Sequence, residues 1–254
     1  MLGAVVGDII GSVYEFNTIK SKDFPLFSSH SRFTDDTVLT MATIDSLIHG
    51  MPFAEAYRAW FKRYPQAGYG RSFKEWAESG RNEPYYSWGN GSAMRVSPIG
   101  FYYKTLDEVL ERAKKSAEVT HNHPEGIKGA QATAAAVFLA KRRKTKSELK
   151  ETIEREFSYN LNEPLEKIRN GYTFDVSCQG SVPQAIRAFL ESENFEDAIR
   201  NAISIGGDSD TIACITGALA EAYYGHVPYE IKKEAITYLD DPINALLSNF
   251  YRAL

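Results

Sequence analysis

The sequence predicts an all-α protein folded as a single multi-helix domain, and three observations predict it. No stretch shows sustained period-two alternation of apolar and polar residues, so half-buried strands are not expected. Segment after segment instead spaces its apolar residues three and four apart, enough for about a dozen helices of ordinary length. No Pro/Gly-rich linker or shift in composition divides the 254 residues, and two similar acidic clusters toward opposite ends of the chain make sense only if they meet. One domain spanning residues 1–254 follows.

Composition narrows the function. Apolar residues make up 43% and aromatics 13%, a soluble globular profile, and the net charge of −4 gives no bias toward nucleic acid or an anionic membrane. Cys178 and Cys214 are too few and too far apart for a disulfide framework, which points to a reducing, cytoplasmic setting. No uninterrupted apolar stretch is long enough to span a bilayer, and neither a signal peptide nor an internal repeat is visible.

Taken in order, residues 2–16 read as an apolar helix with Gly3, Gly7 and Gly11 on one face, a stripe that admits a second backbone at close range. Asp8 and Glu15 are seven apart, which on a helix puts them on a shared face, and an acidic pair there is costly to bury without partners. Residues 17–33 are loop. A helix runs from Thr34-Asp35-Asp36-Thr37 to Gly50-Met51-Pro52, and an aromatic amphipathic helix covers 53–62. A glycine-containing loop follows, with Phe73 and Trp76 on a short helix. It leads to Ser87-Trp88-Gly89-Asn90-Gly91-Ser92-Ala93-Met94-Arg95. The Gly-Asn-Gly-Ser run exposes backbone N–H groups without bulk, which suits a phosphate, and Tyr86 and Trp88 could stack on a base; taken alone, a surface turn with core aromatics explains it better.

Helices are expected over 106–119 and 127–141, separated by Thr120-His121-Asn122-His123-Pro124. A His-Asn-His nuclease motif would need a strand pair around the first histidine, and helices flank this one. One histidine suits a phosphate or the orientation of a ligand, the other a structural role. The basic run Lys141–Lys146 decorates a helix C-terminus, where cations suit the dipole. Helices over 147–157, 164–170, 181–191 and 195–204 lead to Gly206-Gly207-Asp208-Ser209-Asp210-Thr211 and an apolar segment to Tyr224, with 172–180 irregular. Helices over 229–239 and 242–253 close the chain.

The acidic clusters carry the chemistry. A helix start needs one short polar residue to satisfy its free N–H groups, so a second carboxylate is surplus. Thr34-Asp35-Asp36-Thr37 and Asp208-Ser209-Asp210-Thr211 each hold two carboxylates and flanking hydroxyls. Facing one another, they offer four carboxylates, which repel unless cations or protons lie between them, and which suit two Mg²⁺- or Mn²⁺-like ions.

Gly7-Asp8 through Glu15, Thr34–Thr37, Gly89–Arg95, Thr120-His121 and Gly206–Thr211 occur in the order found in the ADP-ribosylglycohydrolases, the dinitrogenase-reductase-activating glycohydrolase-like family, which the chain resembles from near residue 1 to residue 225. The resemblance implies an all-α domain with two Mg²⁺ (or Mn²⁺) ions. Its substrate would be an ADP-ribosylated protein or small-molecule ADP-ribose conjugate, cleaved at C1″ of the distal ribose. Thr34, Asp35, Asp36, Asp208, Asp210 and Thr211 would ligate metal, with Glu15, Asp35 and Asp36 in catalysis. Ser87, Trp88, Gly89, Asn90, Gly91, Ser92, Met94 and His121 would bind substrate, with Ser87, Gly91 and Ser92 along the pyrophosphate, His121 near the phosphates and Trp88 beside the adenosine. Ser209 stands where the family often has threonine. Neither membrane nor nucleic-acid partners are expected. Two rivals share the ligand set: a dinuclear-metal nucleotide pyrophosphohydrolase and a non-catalytic ADP-ribose-binding module. A prenyl synthase would need Asp-Asp-x-x-Asp, and Asp36 is followed by Thr37, Val38 and Leu39.

Overall fold

A computed structural model describes all 254 residues. Helices α1 (Leu2–Gly11), α2 (Asp35–His49), α3 (Phe53–Arg63), α4 (Arg71–Ser79), α5 (Gly91–Met94), α6 (Ser97–Tyr102), α7 (Leu106–Glu118) and α8 (Pro124–Lys141) form the first part. Then come α9 (Lys146–Phe157), α10 (Leu165–Gly171), α11 (Cys178–Leu190), α12 (Phe195–Ser204), α13 (Ser209–Tyr224), α14 (Tyr229–Ile236) and α15 (Asp241–Ala253). No strand forms; the nearest approach is one antiparallel bridge between Gly89 and Ser177. The all-α expectation holds.

The apolar segment after Asp210 is the axis. Every residue of α13 from Ser209 to Glu221 is buried, and Gly225, at φ +87°, ends the helix in the left-handed conformation that a side chain disfavours. Around it pack α1, α2, α5, α6, α8, α11 and α12. The glycine stripe of α1 does what its spacing implies. A Cβ on Gly3 would lie 2.9 Å from the carbonyl carbon of Gly217, and one on Gly7 would lie 2.7 Å from the backbone nitrogen of Cys214. The two helices thus meet backbone to backbone, and all ten residues of α1 are buried. A single apolar cluster runs from Met1 to Phe250. At about 1.5–3 kcal/mol for each large apolar side chain removed from water, it supplies the main force of folding.

Several boundaries differ from the sequence reading. The first helix stops at Gly11 instead of running to residue 16. The Ser12 hydroxyl donates back to the Ile9 carbonyl (2.9 Å), and Tyr14 N–H closes a turn onto the Gly11 carbonyl (2.8 Å). Glu15 therefore does not share a helix face with Asp8; the turn carries it round. Helix α8 begins at Pro124 instead of residue 127, because proline is well placed in a first turn and His123 Nδ1 accepts the Glu125 N–H (3.1 Å). Helices α5 and α6 lie where small residues left no periodic signal.

Candidate active site

The site begins at the N-terminus of α2. Thr34 is its cap, in extended conformation, and its hydroxyl accepts the Asp36 N–H (3.3 Å). A second cap comes from another helix. Asp8, fully buried in α1, accepts from the Thr34 N–H (2.9 Å), the Thr34 hydroxyl (2.7 Å), the Thr37 N–H (3.1 Å) and the Thr37 hydroxyl. Three of these donors converge on Oδ2, and only the Thr34 hydroxyl meets Oδ1. Asp8 ties α1 to α2 and leaves Asp35 and Asp36 free of capping duty, as their surplus in the sequence implied.

The second cluster is arranged alike. Asp208 is the cap residue of α13, yet its side chain makes no capping bond. Its Oδ2 accepts instead from the Asn90 side-chain amide (2.7 Å), which also donates to Ser181 Oγ (2.9 Å). Thr211 joins the clusters, its hydroxyl donating to Asp36 Oδ2 at 3.2 Å. Asp36 Oδ1 is buried with no partner.

Two carboxylate sets result. Asp8, Asp36 and Asp210 place one oxygen each within 4.8 Å of one another, and so do Glu15, Asp208 and Asp210. Asp210 belongs to both. Burial, and after it the charge of Asp210, holds the carboxyls of Asp35 and Asp36 well above the usual carboxylate range. Asp210 is raised in the same way by burial and then by Asp208. Glu15 is pushed up to about 7, by burial first and Asp210 second, against a small opposing pull from Arg32. Such a cluster calls for cations or retained protons.

These groups form one end of a cavity of about 460 Å³, within the range of small-molecule sites. Glu15, Thr34, Asp35, Asp36, Asp208, Asp210 and Thr211 line it, with Ser87, Gly89, Asn90, Gly91, Met94 and His121. His121 is buried, and its Nε2 faces the glycine loop; a Cβ on Gly91 would fall 3.3 Å from it. Burial, with Arg95 second, lowers its pKa well below the ordinary histidine value, so the ring is neutral.

Two expected residues lie off the cavity wall. Ser92 is fully buried behind it, its hydroxyl donating to the Gly126 carbonyl at 2.7 Å. Trp88 is 51% exposed, with its ring 5.4 Å from that of His123. The bridge to Ser177 explains Trp88: the chain is extended there, so neighbours alternate, and Ser87 and Gly89 face inward while Trp88 faces out. Asn90 lines the cavity, but its amide is engaged with Asp208. Conversely, sequence reasoning assigned no role to Arg95, Tyr85, Arg32, Phe16 or Val176, all on the wall. Of these, Arg32 precedes α2 and Tyr85 follows α4, and Gln66 and Gly68 from the loop after α3 join them on the wall.

With this geometry in place, comparison with known proteins is specific. A family model described as ADP-ribosylglycohydrolase matches residues 1–253. A Xenopus tropicalis protein named ADP-ribosylhydrolase ARH3 is 27% identical, covering 94% of this chain and 91% of that protein. The Homo sapiens protein of the same name is 28% identical over 89% and 84%. The ADP-ribosylarginine hydrolase Tri1 of Pseudomonas putida is 26% identical, over 89% and 69%. A solved structure titled ADP-ribosylglycohydrolase-related protein complex superposes with a TM-score of 0.75 at 26% identity, over 99% of this chain and 95% of that one.

Proposed function

Since the chain belongs to the ADP-ribosylglycohydrolase family, we propose that it hydrolyses the glycosidic bond at C1″ of ADP-ribose conjugates, releasing ADP-ribose. The observation that carries this reading is the union of two overlapping carboxylate sets and Glu15 with the Gly89–Gly91 loop and His121 in one cavity. The carboxylates give the cavity the oxygen-rich character that suits hard cations, and the bulk-free Gly89 and Gly91 beside His121 leave the close approach that suits a diphosphate.

The donor set fits divalent ions. It is all oxygen, it holds a buried carboxylate oxygen with no partner, and its members are pushed toward protonation by burial first and by their mutual repulsion second. Asp35, Asp36, Asp208 and Asp210, with Thr34 and Thr211, are the residues that would hold two Mg²⁺ or Mn²⁺. When bound, such ions supply polarisation of the ribose hydroxyls and of water. Asp8 is first a support, since its Oδ2 is held by three donors from Thr34 and Thr37, while its Oδ1 accepts from the Thr34 hydroxyl alone and stays within reach of Asp36 and Asp210.

The chain's own residues supply the remainder. Cleavage through an oxocarbenium-like state needs proton transfer at the leaving group and the attacking water. Glu15, partly open to solvent and with a pKa near neutrality, can hold or release a proton at physiological pH and takes that role. Gly89, Gly91 and His121 orient the diphosphate. Arg32, Arg71, Phe16 and Val176 surround the mouth and meet the acceptor, a protein side chain or small molecule. No helix is long and apolar enough to cross a membrane, and two buried free thiols suit the reducing cytoplasm.

The test is product analysis on ADP-ribosyl-arginine, ADP-ribosyl-serine and O-acetyl-ADP-ribose with Mg²⁺, Mn²⁺ or EDTA. Intact ADP-ribose is expected, dependent on metal and lost in Asp208→Asn and Glu15→Gln. AMP would identify a pyrophosphohydrolase instead. Tight ADP-ribose binding without turnover of any substrate would identify a binding module.

A further inference from the structure

The most unusual side chain in the molecule is Arg95. It is wholly buried, borders the cavity and makes no ion pair with any carboxylate. Its guanidinium carbon lies 4.0 Å from the centre of the Tyr57 ring, and its Nε and one terminal nitrogen have no hydrogen-bond partner. The other terminal nitrogen donates twice, to the Ser116 carbonyl (3.1 Å) and to the Thr120 hydroxyl (2.7 Å). Thr120 Oγ1 is in turn 2.7 Å from His121 Nδ1. A buried guanidinium held away from any carboxylate is costly unless it serves the site it borders.

We propose that Arg95 is a positioning residue which, through Thr120, fixes His121 as the neutral Nε2–H tautomer and so presents a directed N–H donor to an anionic oxygen beside Gly89 and Gly91. Arginine has donors only, so the Arg95–Thr120 bond has one possible direction. It occupies a lone pair of the threonine oxygen and polarises the hydroxyl outward. Nδ1 is the one remaining hydrogen-bond partner of that hydroxyl, so on this proposal its proton goes there, Nδ1 carries none and the ring proton lies on Nε2. The Arg95 charge also opposes protonation of the ring. The outcome is a donor whose protonation and direction are both set, aimed where the glycine loop leaves room for a phosphate. The inference rests on the functional reading for the identity of the anion, and on local geometry alone for the tautomer.

Two measurements separate those dependences. Histidine ¹⁵N spectra of the full-length protein, with His121 assigned by His121→Gln, report the tautomer without any ligand. The wild type is expected to show an unprotonated Nδ1 and protonated Nε2 across neutral pH. Thr120→Val, nearly the same shape, is expected to lose that signature, and Thr120→Ser to keep it. Calorimetric titration with ADP-ribose then reads the consequence: affinity about tenfold weaker in Thr120→Val, as for loss of one oriented hydrogen bond to a charged oxygen, and restored in Thr120→Ser. Arg95→Lys, which keeps the charge but not the fork, is expected to weaken binding as Thr120→Val does. A wild-type ring protonated on Nδ1, with Thr120 turned toward Tyr85 instead, overturns the inference. So does a Thr120→Val protein with unchanged tautomer and affinity. Absence of ADP-ribose binding to the wild type would instead refute the functional reading, leaving the tautomer result to decide this one.

Discussion

Replacing Gly7 by alanine tests the helix crossing on which the site is built. The added Cβ would lie 2.7 Å from Cys214 N and nearer still to the Ala213 carbonyl, whereas ordinary contact begins at 3.4 Å. The obstacles are backbone atoms of a buried helix, so no rotamer change relieves them. The helices must part by at least 0.7 Å, the difference between those two distances. A gap of that size forfeits about a quarter to a half of the dispersion energy of each contact it opens. Overpacking of this kind costs about 1–3 kcal/mol, and the unyielding neighbours put Gly7→Ala at the upper end. The gain of about 1 kcal/mol from alanine's helix propensity offsets part of it. A net loss of about 2 kcal/mol is expected, or roughly 4–8 °C in Tm for a chain of this size. Urea unfolding in EDTA, followed by circular dichroism, measures it free of metal linkage. Gly171→Ala is the control, since Gly171 is exposed at a helix end with nothing within 4 Å of its added Cβ and no positive φ; it should stay within about 1 kcal/mol of wild type. A Gly7→Ala protein that unfolds within about 0.5 kcal/mol of wild type, at equal m-value, would refute the close-packed crossing.

Three further outcomes are expected. Asp210→Asn removes the carboxylate common to both sets, so it should stabilise the metal-free protein by about 1–2 kcal/mol in EDTA melts while hydrolysis falls at least about 100-fold. In EDTA, stability should decline as pH rises: Glu15, Asp35, Asp36 and Asp210 hold protons more tightly folded than unfolded, so their contribution is complete below the ordinary carboxylate range and is lost as pH passes about 7, where Glu15 titrates, and beyond. Melts between pH 5 and 8 check that slope, and Mg²⁺ or Mn²⁺ at about 100 times Kd should flatten it and add about 2.7 kcal/mol for each ion bound. Thr37→Val takes one donor from buried Asp8 and should cost about 1–2 kcal/mol in urea unfolding; calorimetric titration should also show weaker Mn²⁺ binding, although Thr37 is not on the cavity wall.

Much of the site was legible because its signals are local. Asp35, Asp36, Asp208 and Asp210 each stand within three residues of their cluster partners, and a carboxylate surplus to capping is visible in a single window. The glycine stripe of α1 is local too, and it correctly implied a close backbone. What escaped depends on distance or on orientation. Asp8 was an acid in an apolar helix without a visible partner, because its donors lie at Thr34 and Thr37. Glu15 was placed on the helix by spacing, which cannot register the turn at Ser12. Trp88 and Ser92 neighbour cavity residues in sequence yet point elsewhere, a matter of strand-like alternation at Gly89 and of the inner face of α5, which turns Ser92 toward Gly126. Arg95 carries no mark in its neighbourhood that it is enclosed, since Tyr57, Ser116 and Thr120 come from other parts of the chain.

The partnership of α1 with α13 also sets a clock. Roughly 200 residues separate the two helices, and synthesis at about 5–20 residues per second leaves α1 waiting on the order of 10–40 s for the helix that buries it. Throughout that interval α1, apolar but for Asp8, can reach α2 but lacks the helix that covers its glycine face, which makes it a natural client for a chaperone and a liability in rapid overexpression. The acids of α2 wait equally long for those of α13, so a cation cannot template the early chain. Any cation held between the two clusters could only close a structure that has already come together, so its binding would be a late event of folding and a readout that the ends of the chain have found each other.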